Sequence, residues 1–335
     1  MTILESKNLR IGYVSGQHGR IVAEGLDFSL KKRTFTCLLG PNGVGKSTLV
    51  KTLLGQLPPL EGDVILEGRG IGNFSQKELA KKIAVVLTEK TRTGNLTVYQ
   101  LVSLGRIPHT GWLGGLSPSD EDMVEEAIAA THIGYIRHFP LSELSDGQLQ
   151  KAMIARALAQ DADILILDEP TAHLDLVNRH EIMHLLRDIA HGQNKAVLVV
   201  THDLDIAVQT ADIFWLMGCG DPLSVGFPED LILDNSISRL FPQDKFRFDL
   251  LFGKVVPKLN SVLPTILGPT ELVKWVENAW RKNLGNLILP GAIIEINADP
   301  FGIQWKVGET VEKFSSVQSL VEFVEKHYRK DFQGF

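Results

Sequence analysis

Gly40-Pro41-Asn42-Gly43-Val44-Gly45-Lys46-Ser47-Thr48 sets four residues between Gly40 and Gly45 and follows them with a lysine and a serine. That pattern suits a phosphate chain. The glycines let backbone N–H groups point inward, and a helix after Gly45 would add its positive N-terminal end. Lys46 could then reach the β- and γ-phosphates, and Ser47 could offer a hydroxyl to Mg²⁺. A second group is Asp163-Ile164-Leu165-Ile166-Leu167-Asp168-Glu169-Pro170, in which four apolar residues deliver two acids to a strand end. Taken alone, the pair could be solvated acids. Beside a phosphate loop, one carboxylate can serve the Mg²⁺ shell while its neighbour polarises an attacking water. Leu144-Ser145-Asp146-Gly147-Gln148 is a third piece, a hydroxyl and backbone N–H groups ahead of a helix from Leu149 to Ala159. By itself it reads better as a capped helix with no ligand.

These residues need elements to hold them. Leu26 to Leu30 alternates as a half-buried strand, and Phe35 to Leu39 is an apolar run that ends at the glycines. Lys46 to Leu54 reads as a helix. Ser119 can cap a helix with Asp120, Glu121 and Asp122 in its first turn and Val124, Ala127, Ile128 and Thr131 on one face. Strand, helix and strand follow at Ile164 to Leu167, Asn178 to His191 and Ala196 to Val200, which predicts a mainly parallel sheet. From about Asp244 the pattern becomes a separate small α+β unit. There Thr270 could cap a helix with Leu272, Trp275, Val276 and Ala279 on one face. Ala292 to Ile296 reads as a strand, and Gly302 to Phe314 as a hairpin turning near Gly308. Ser316 could cap a last helix with Val317, Leu320, Val321 and Val324 inward.

With the three motifs in this order, the sequence resembles the ABC ATPase family over about residues 2–240, whose signature reads Leu-Ser-Gly-Gly-Gln. The resemblance implies an α/β fold: a P-loop NTPase core of ABC ATPase type spanning 1–240, a helical subdomain inserted at about 90–160, and a C-terminal α+β appendage at 245–335. It implies ATP and Mg²⁺ as ligands. Gly40 to Thr48 would hold the phosphates, Tyr13 would lie against adenine, and Ser47, Asp168 and Glu89 would serve the metal. Lys46, Glu169 and His202, the last in Thr201-His202-Asp203, would be the catalytic set. Ser145, Gly147 and Gln148 would face ATP held by another copy, and Asp175 would lie in a loop reaching that copy, so a homodimer is implied. Glu89 stands where the family has glutamine, and Asp146 where it has glycine. Thr97-Val98-Tyr99-Gln100-Leu101-Val102-Ser103-Leu104-Gly105-Arg106, then Pro108-His109 and Thr171 to Leu176, look like the ATPases of iron-siderophore, haem and vitamin B12 importers. That implies membrane permease partners docking near residues 89–110, a substrate-binding protein acting indirectly, and a peripheral place on the cytoplasmic side of the inner membrane.

Composition narrows the field. The 335 residues are 44% hydrophobic and 22% charged with a formal net charge of -6, which argues against general nucleic-acid binding. Cys37 and Cys219 are too few for a disulfide framework. No leader pattern follows Met1, and no apolar run approaches the roughly 18 residues of a membrane span. The rival class is a non-transport ABC ATPase with a regulatory or assembly role. Long coiled-coil insertions or a second cassette would favour it, and neither occurs in this sequence.

Overall fold

The apolar runs form the centre of a six-stranded sheet. Its strands lie in the order Ser224–Gly226, Ile213–Leu216, Thr34–Leu39, Ala196–Val200, Ile164–Asp168, Ile83–Val86. Neighbours are parallel except for the pair at the Ser224–Gly226 edge. The structure is a computed structural model that describes residues 1–15, 18–87, 95–111, 115–250, 253–258, 263–285 and 287–328.

Alternate residues of the central strands go to two apolar layers, as the strand pleat requires. Cys37, Leu165, Leu167, Val197 and Val199 pack with the helices Val98–Ser103, Pro118–Ala130, Asp146–Ala159 and Leu176–Gly192. Leu38, Ile164, Ile166, Leu198 and Val200 pack with a second sheet, whose long strands are Thr2–Ser15, His18–Lys31 and Glu61–Leu66. Burial on both faces is why these strands read as continuous apolar runs. In the register, Leu38 lies beside Val200 and Val200 beside Asp168. The residues that follow them, Gly40, His202 and Glu169, therefore emerge along one edge, the carboxyl ends of the strands.

Several helix starts differ from the expected ones: the helix expected from Leu149 begins at Asp146, because Ser145 caps it. The helix expected to begin at Ser119 is capped by Ser117. Pro118 suits the first helical position, and Asp120 closes a capping box back onto Ser117. Asp120 also accepts from buried Arg106 at 2.8 Å, and Arg106 donates to Ala159 O at 2.8 Å. The Ser117 bonds and then Arg106 hold the Asp120 carboxyl well below the usual carboxylate range. An acid expected to serve the helix dipole thus ties the inserted helices to the end of the Asp146–Ala159 helix. A further difference is at Leu176–Gly192, which starts two residues early because Asp175 caps it, accepting from Asn178 N at 2.8 Å.

The first compact unit runs to Val256, past the sequence boundary at 240–245. Leu240 and Phe248 pack against the cassette's helix-side core, and Phe246–Asp249 pairs with Lys254–Pro257. The second unit, Pro257–Phe335, has its own core. Strands Thr265–Leu267, Ile293–Ala298, Phe301–Val307 and Thr310–Phe314 lie in chain order, the first pair parallel and the others antiparallel. Ile294, Ile296, Ile303 and Trp305 share a face with residues of helices Thr270–Asn283 and Val317–Tyr328. Trp275 does not share the burial of Val276, expected on the same face; it is 70% exposed, whereas Val276 is buried. The apolar arc of that helix is wider than one contact face, and Trp280, stacked on Trp305 at 5.7 Å, takes the buried place. Thr270 is the first helical residue rather than a cap.

Candidate functional site

The Thr34–Leu39 strand runs into the glycine turn, and the Lys46–Leu53 helix leaves it. Gly43 and Gly45 have φ of 81° and 118°, a region that suits glycine. A Cβ on Gly45 would also lie 2.6 Å from Val22 Cγ1. No side chain caps this helix, so its first N–H groups are open to a ligand. Lys46 is buried, and its Nζ donates to Gly40 O at 2.6 Å and Pro41 O at 3.1 Å. Burial lowers its pKa, and the Glu169 and Asp168 carboxylates oppose that shift. An ammonium held inside a turn of inward-facing backbone is suited to a phosphate chain and is costly to leave unpaired.

The acid pair sits against this turn. Asp168 ends its strand, and burial, then repulsion from Glu169, raises its pKa against the pull of Lys46. Glu169 has φ 50°, and its N donates to Val200 O at 2.8 Å, which swings the carboxylate toward the edge. Glu169 Oε2 lies 2.7 Å from His202 Nδ1. That contact lacks hydrogen-bond alignment, so Oε2 is a buried acceptor without a bonded donor. His202 is itself 61% exposed. A buried carboxylate with spare acceptor capacity beside an imidazole can orient a water and take its proton.

A cleft of about 500 Å³ joins Tyr13, Asn42, Gly43, Gly45, Lys46, Ser47, Thr48, Asp168 and Glu169. Tyr13 is partly exposed, and its hydroxyl meets Thr48 Oγ1 at 3.3 Å. A partly exposed ring over a phosphate turn can stack on a base. Arg20 also lines the cleft, opposite Tyr13 across the strand pair. Sequence reading missed it, because only the register of the long hairpin reveals it. Gly40, Pro41 and His202 border a neighbouring depression that shares Asn42 with the cleft. Val44 is buried beneath the turn.

Ser145, Gly147, Gln148 and Asp175 are not among the residues lining the cleft. Ser145 caps the Asp146–Ala159 helix in a reciprocal box with Gln148. A Cβ on Gly147 would fall 2.6 Å from Asn178 Oδ1, so this turn packs directly on the start of the Asp175-capped helix. Hydrogen bonds from Asn178 hold the Asp175 carboxyl below its ordinary pKa. Within one chain, then, there is a charged cleft and, apart from it, an exposed helix N-terminus. Glu89 lies outside the described residues.

Comparison with known proteins identifies the family. The sequence profile of the ABC transporter family matches residues 23–172. The chain is 36% identical over 244 residues to an achromobactin transport ATP-binding protein of Dickeya dadantii, covering 73% of this chain and 89% of that protein. It is 34% identical over 244 residues to an iron(3+)-hydroxamate import ATP-binding protein of Bacillus subtilis, with the same two coverages of 73% and 89%. It is similar to a dimeric structure of a bacterial ABC transporter cassette, with a TM-score of 0.58 and 26% identity over 68% of this chain and 99% of that one.

Proposed function

The chain belongs to the ABC transporter family as an ATP-hydrolysing ATP-binding subunit, and on that premise we propose that it powers an importer of iron-siderophore or a related metal chelate such as haem or vitamin B12. The observation that carries the mechanism is the separation just described. Lys46, Asp168, Glu169 and His202 converge at one edge, while the Ser145–Gln148 turn points from another place on the same chain. A homodimer lets each chain supply what the other's cleft lacks, giving two composite ATP sites. In each, the Gly40–Thr48 turn holds the phosphates, Tyr13 stacks on adenine, Glu169 takes the proton of the attacking water and His202 steadies it. Asp175 reaches toward the second copy.

The chemistry of the donors fits Mg²⁺. Ser47 and Asp168 supply oxygen ligands, and no three His, Cys, Asp or Glu side chains form a metal cluster among the described residues. Mg²⁺ suits such a place because it takes one or two carboxylates plus phosphate oxygens. When bound, it would neutralise charge on the phosphates. Glu89 would add a further ligand from the segment that follows Val86.

No helix among the described residues is long and apolar enough to cross a membrane. Import therefore needs permease subunits, and Leu104 and Ile107 present exposed apolar side chains at the end of the Val98–Ser103 helix for one to grip. On this reading the protein works peripherally on the cytoplasmic side of the inner membrane, with a substrate-binding protein feeding the permease from the other side. The test is uptake of radiolabelled ferric siderophore by cells lacking the gene. Uptake should return with the wild-type gene and not with Glu169→Gln; unchanged uptake in the deletion would reject the cargo.

Two further results are expected. Removing residues 257–335 should leave ATP turnover within about twofold, since the core of Pro257–Phe335 is made of its own residues and the cleft residues all precede it. A folded Met1–Val256 protein without ATPase activity would refute this. Asp146 is the exposed first residue of its helix, where a carboxylate favours the lone subunit. In the composite site the same charge would oppose a γ-phosphate. Asp146→Gly in a Glu169→Gln background should tighten the ATP-dependent dimer by about 1 kcal/mol, less at high salt. It should also slightly lower the melting temperature of the ATP-free subunit. Equal or weaker dimerisation in sedimentation would reject the repulsion.

A further inference from the structure

From Glu169 to Asp175 the chain turns tightly, with Glu169 and His173 both in the left-handed region at φ 50° and 67°. Neither residue favours that conformation, so neighbouring contacts must hold the turn. Its side-chain anchors come from the turn that carries His202. Asp203 Oδ2 accepts from Thr171 Oγ1 at 2.7 Å, and Asp203 Oδ1 accepts from Arg179 Nη1 at 3.3 Å. Arg179 Nε donates to Leu174 O at 2.8 Å, immediately before Asp175. Thr171 is fully buried, and the Asp203 side chain is 14% exposed. Asp203 N is held by Thr201 Oγ1 at 3.0 Å. His202 Nε2 lies 3.9 Å from Asp203 Oδ1, while its Nδ1 lies 2.7 Å from Glu169.

One carboxylate thus holds Thr171 directly and Leu174 through Arg179, and it adjoins the imidazole that touches Glu169. We propose that Asp203, Arg179 and Thr171 are positioning residues. They make the Glu169 turn, the His202 turn and the Leu174–Asp175 segment move as one body, so that engagement of Leu174–Asp175 by a second copy of this chain sets the place of Glu169 and His202. The proposal rests on the homodimer reading. Its chemistry is specific to an arginine, because a planar guanidinium can bond Leu174 O and Asp203 together, whereas an ammonium is a single point charge. None of the three residues lines the cleft, so their loss should leave ATP affinity alone and misplace the reacting groups.

Steady-state ATPase kinetics of the full chain provide the test. Arg179→Ala and Thr171→Val should each lower kcat about tenfold with KM within about twofold, and should flatten the dependence of rate on ATP toward a Hill coefficient of about 1. Thr171→Ser keeps the hydroxyl and should restore kcat, while Arg179→Lys should recover only part of it. The double variant should cost little more than either single one, as residues acting as a unit do. A merely structural role predicts otherwise: less folded protein, KM rising with the loss, and Thr171→Ser as damaging as Thr171→Val. Any of those results, or wild-type kcat and cooperativity in Arg179→Ala, overturns the proposal. Sedimentation of Glu169→Gln with ATP separates the two readings. No dimer there rejects the homodimer itself, whereas a dimer combined with unaltered Arg179→Ala kinetics rejects this inference alone.

Discussion

Glu169→Gln is expected to lower ATP turnover by about a thousandfold while nucleotide affinity stays unchanged or rises. Glutamine keeps the shape and length of glutamate, so the turn at φ 50° and its backbone bond to Val200 O should persist. What changes is one atom set. In the wild type, Glu169 Oε2 is buried, unbonded and 2.7 Å from His202 Nδ1, an acceptor held ready for a proton. An amide cannot accept that proton at neutral pH. Removing the negative charge also eases the approach of phosphate to a site that holds Asp168 as well. Single-turnover phosphate release together with nucleotide binding measures both effects. Turnover within tenfold of wild type would remove Glu169 from the catalytic role.

Lys46→Ala should weaken Mg²⁺-ATP binding by about a hundredfold, near 3 kcal/mol, and abolish measurable turnover. Three losses add. The triphosphate loses an ammonium. The carbonyls of Gly40 and Pro41 lose the donor that now spans them at 2.6 and 3.1 Å. Asp168 loses the ammonium that draws its pKa down, so burial and Glu169 would raise it further and leave it a poorer oxygen ligand. Lys46→Arg should not rescue, because a guanidinium is wider than the ammonium the turn encloses. Fluorescent-nucleotide titration reads the affinity, and a change under threefold would break the assignment.

The parts of the site that could be read from sequence are those with local causes. Gly40, Gly45 and Lys46 are recognisable because a phosphate turn is written in consecutive residues, and Asp168 and Glu169 because a buried strand must end before its charges begin. Non-local pairing hid the rest. Arg20 enters the cleft through the register of a hairpin whose strands lie on either side of 16–17. Asp203 meets Thr171 and Arg179 only because Val200 pairs with Asp168. Ser117 displaced Ser119 as a cap because the capping box, not proximity to acids, decides where that helix starts. Trp280 displaced Trp275 because the ring that finds Trp305 is the one that gains burial. The unit boundary moved to Val256 because Leu240 and Phe248 bury themselves on the cassette.

The composite site is tested most directly by the mass of Glu169→Gln in solution with and without Mg²⁺-ATP. One chain is 37.0 kDa. Light scattering coupled to size exclusion should give that mass without nucleotide and twice that mass with it, two ATP being retained per pair of chains. Adding Ser145→Arg, which places bulk and charge at the exposed signature turn, should return the protein to the single-chain mass with ATP still bound. A single-chain mass for Glu169→Gln under both conditions, or a pair that forms equally well without ATP, would contradict the account.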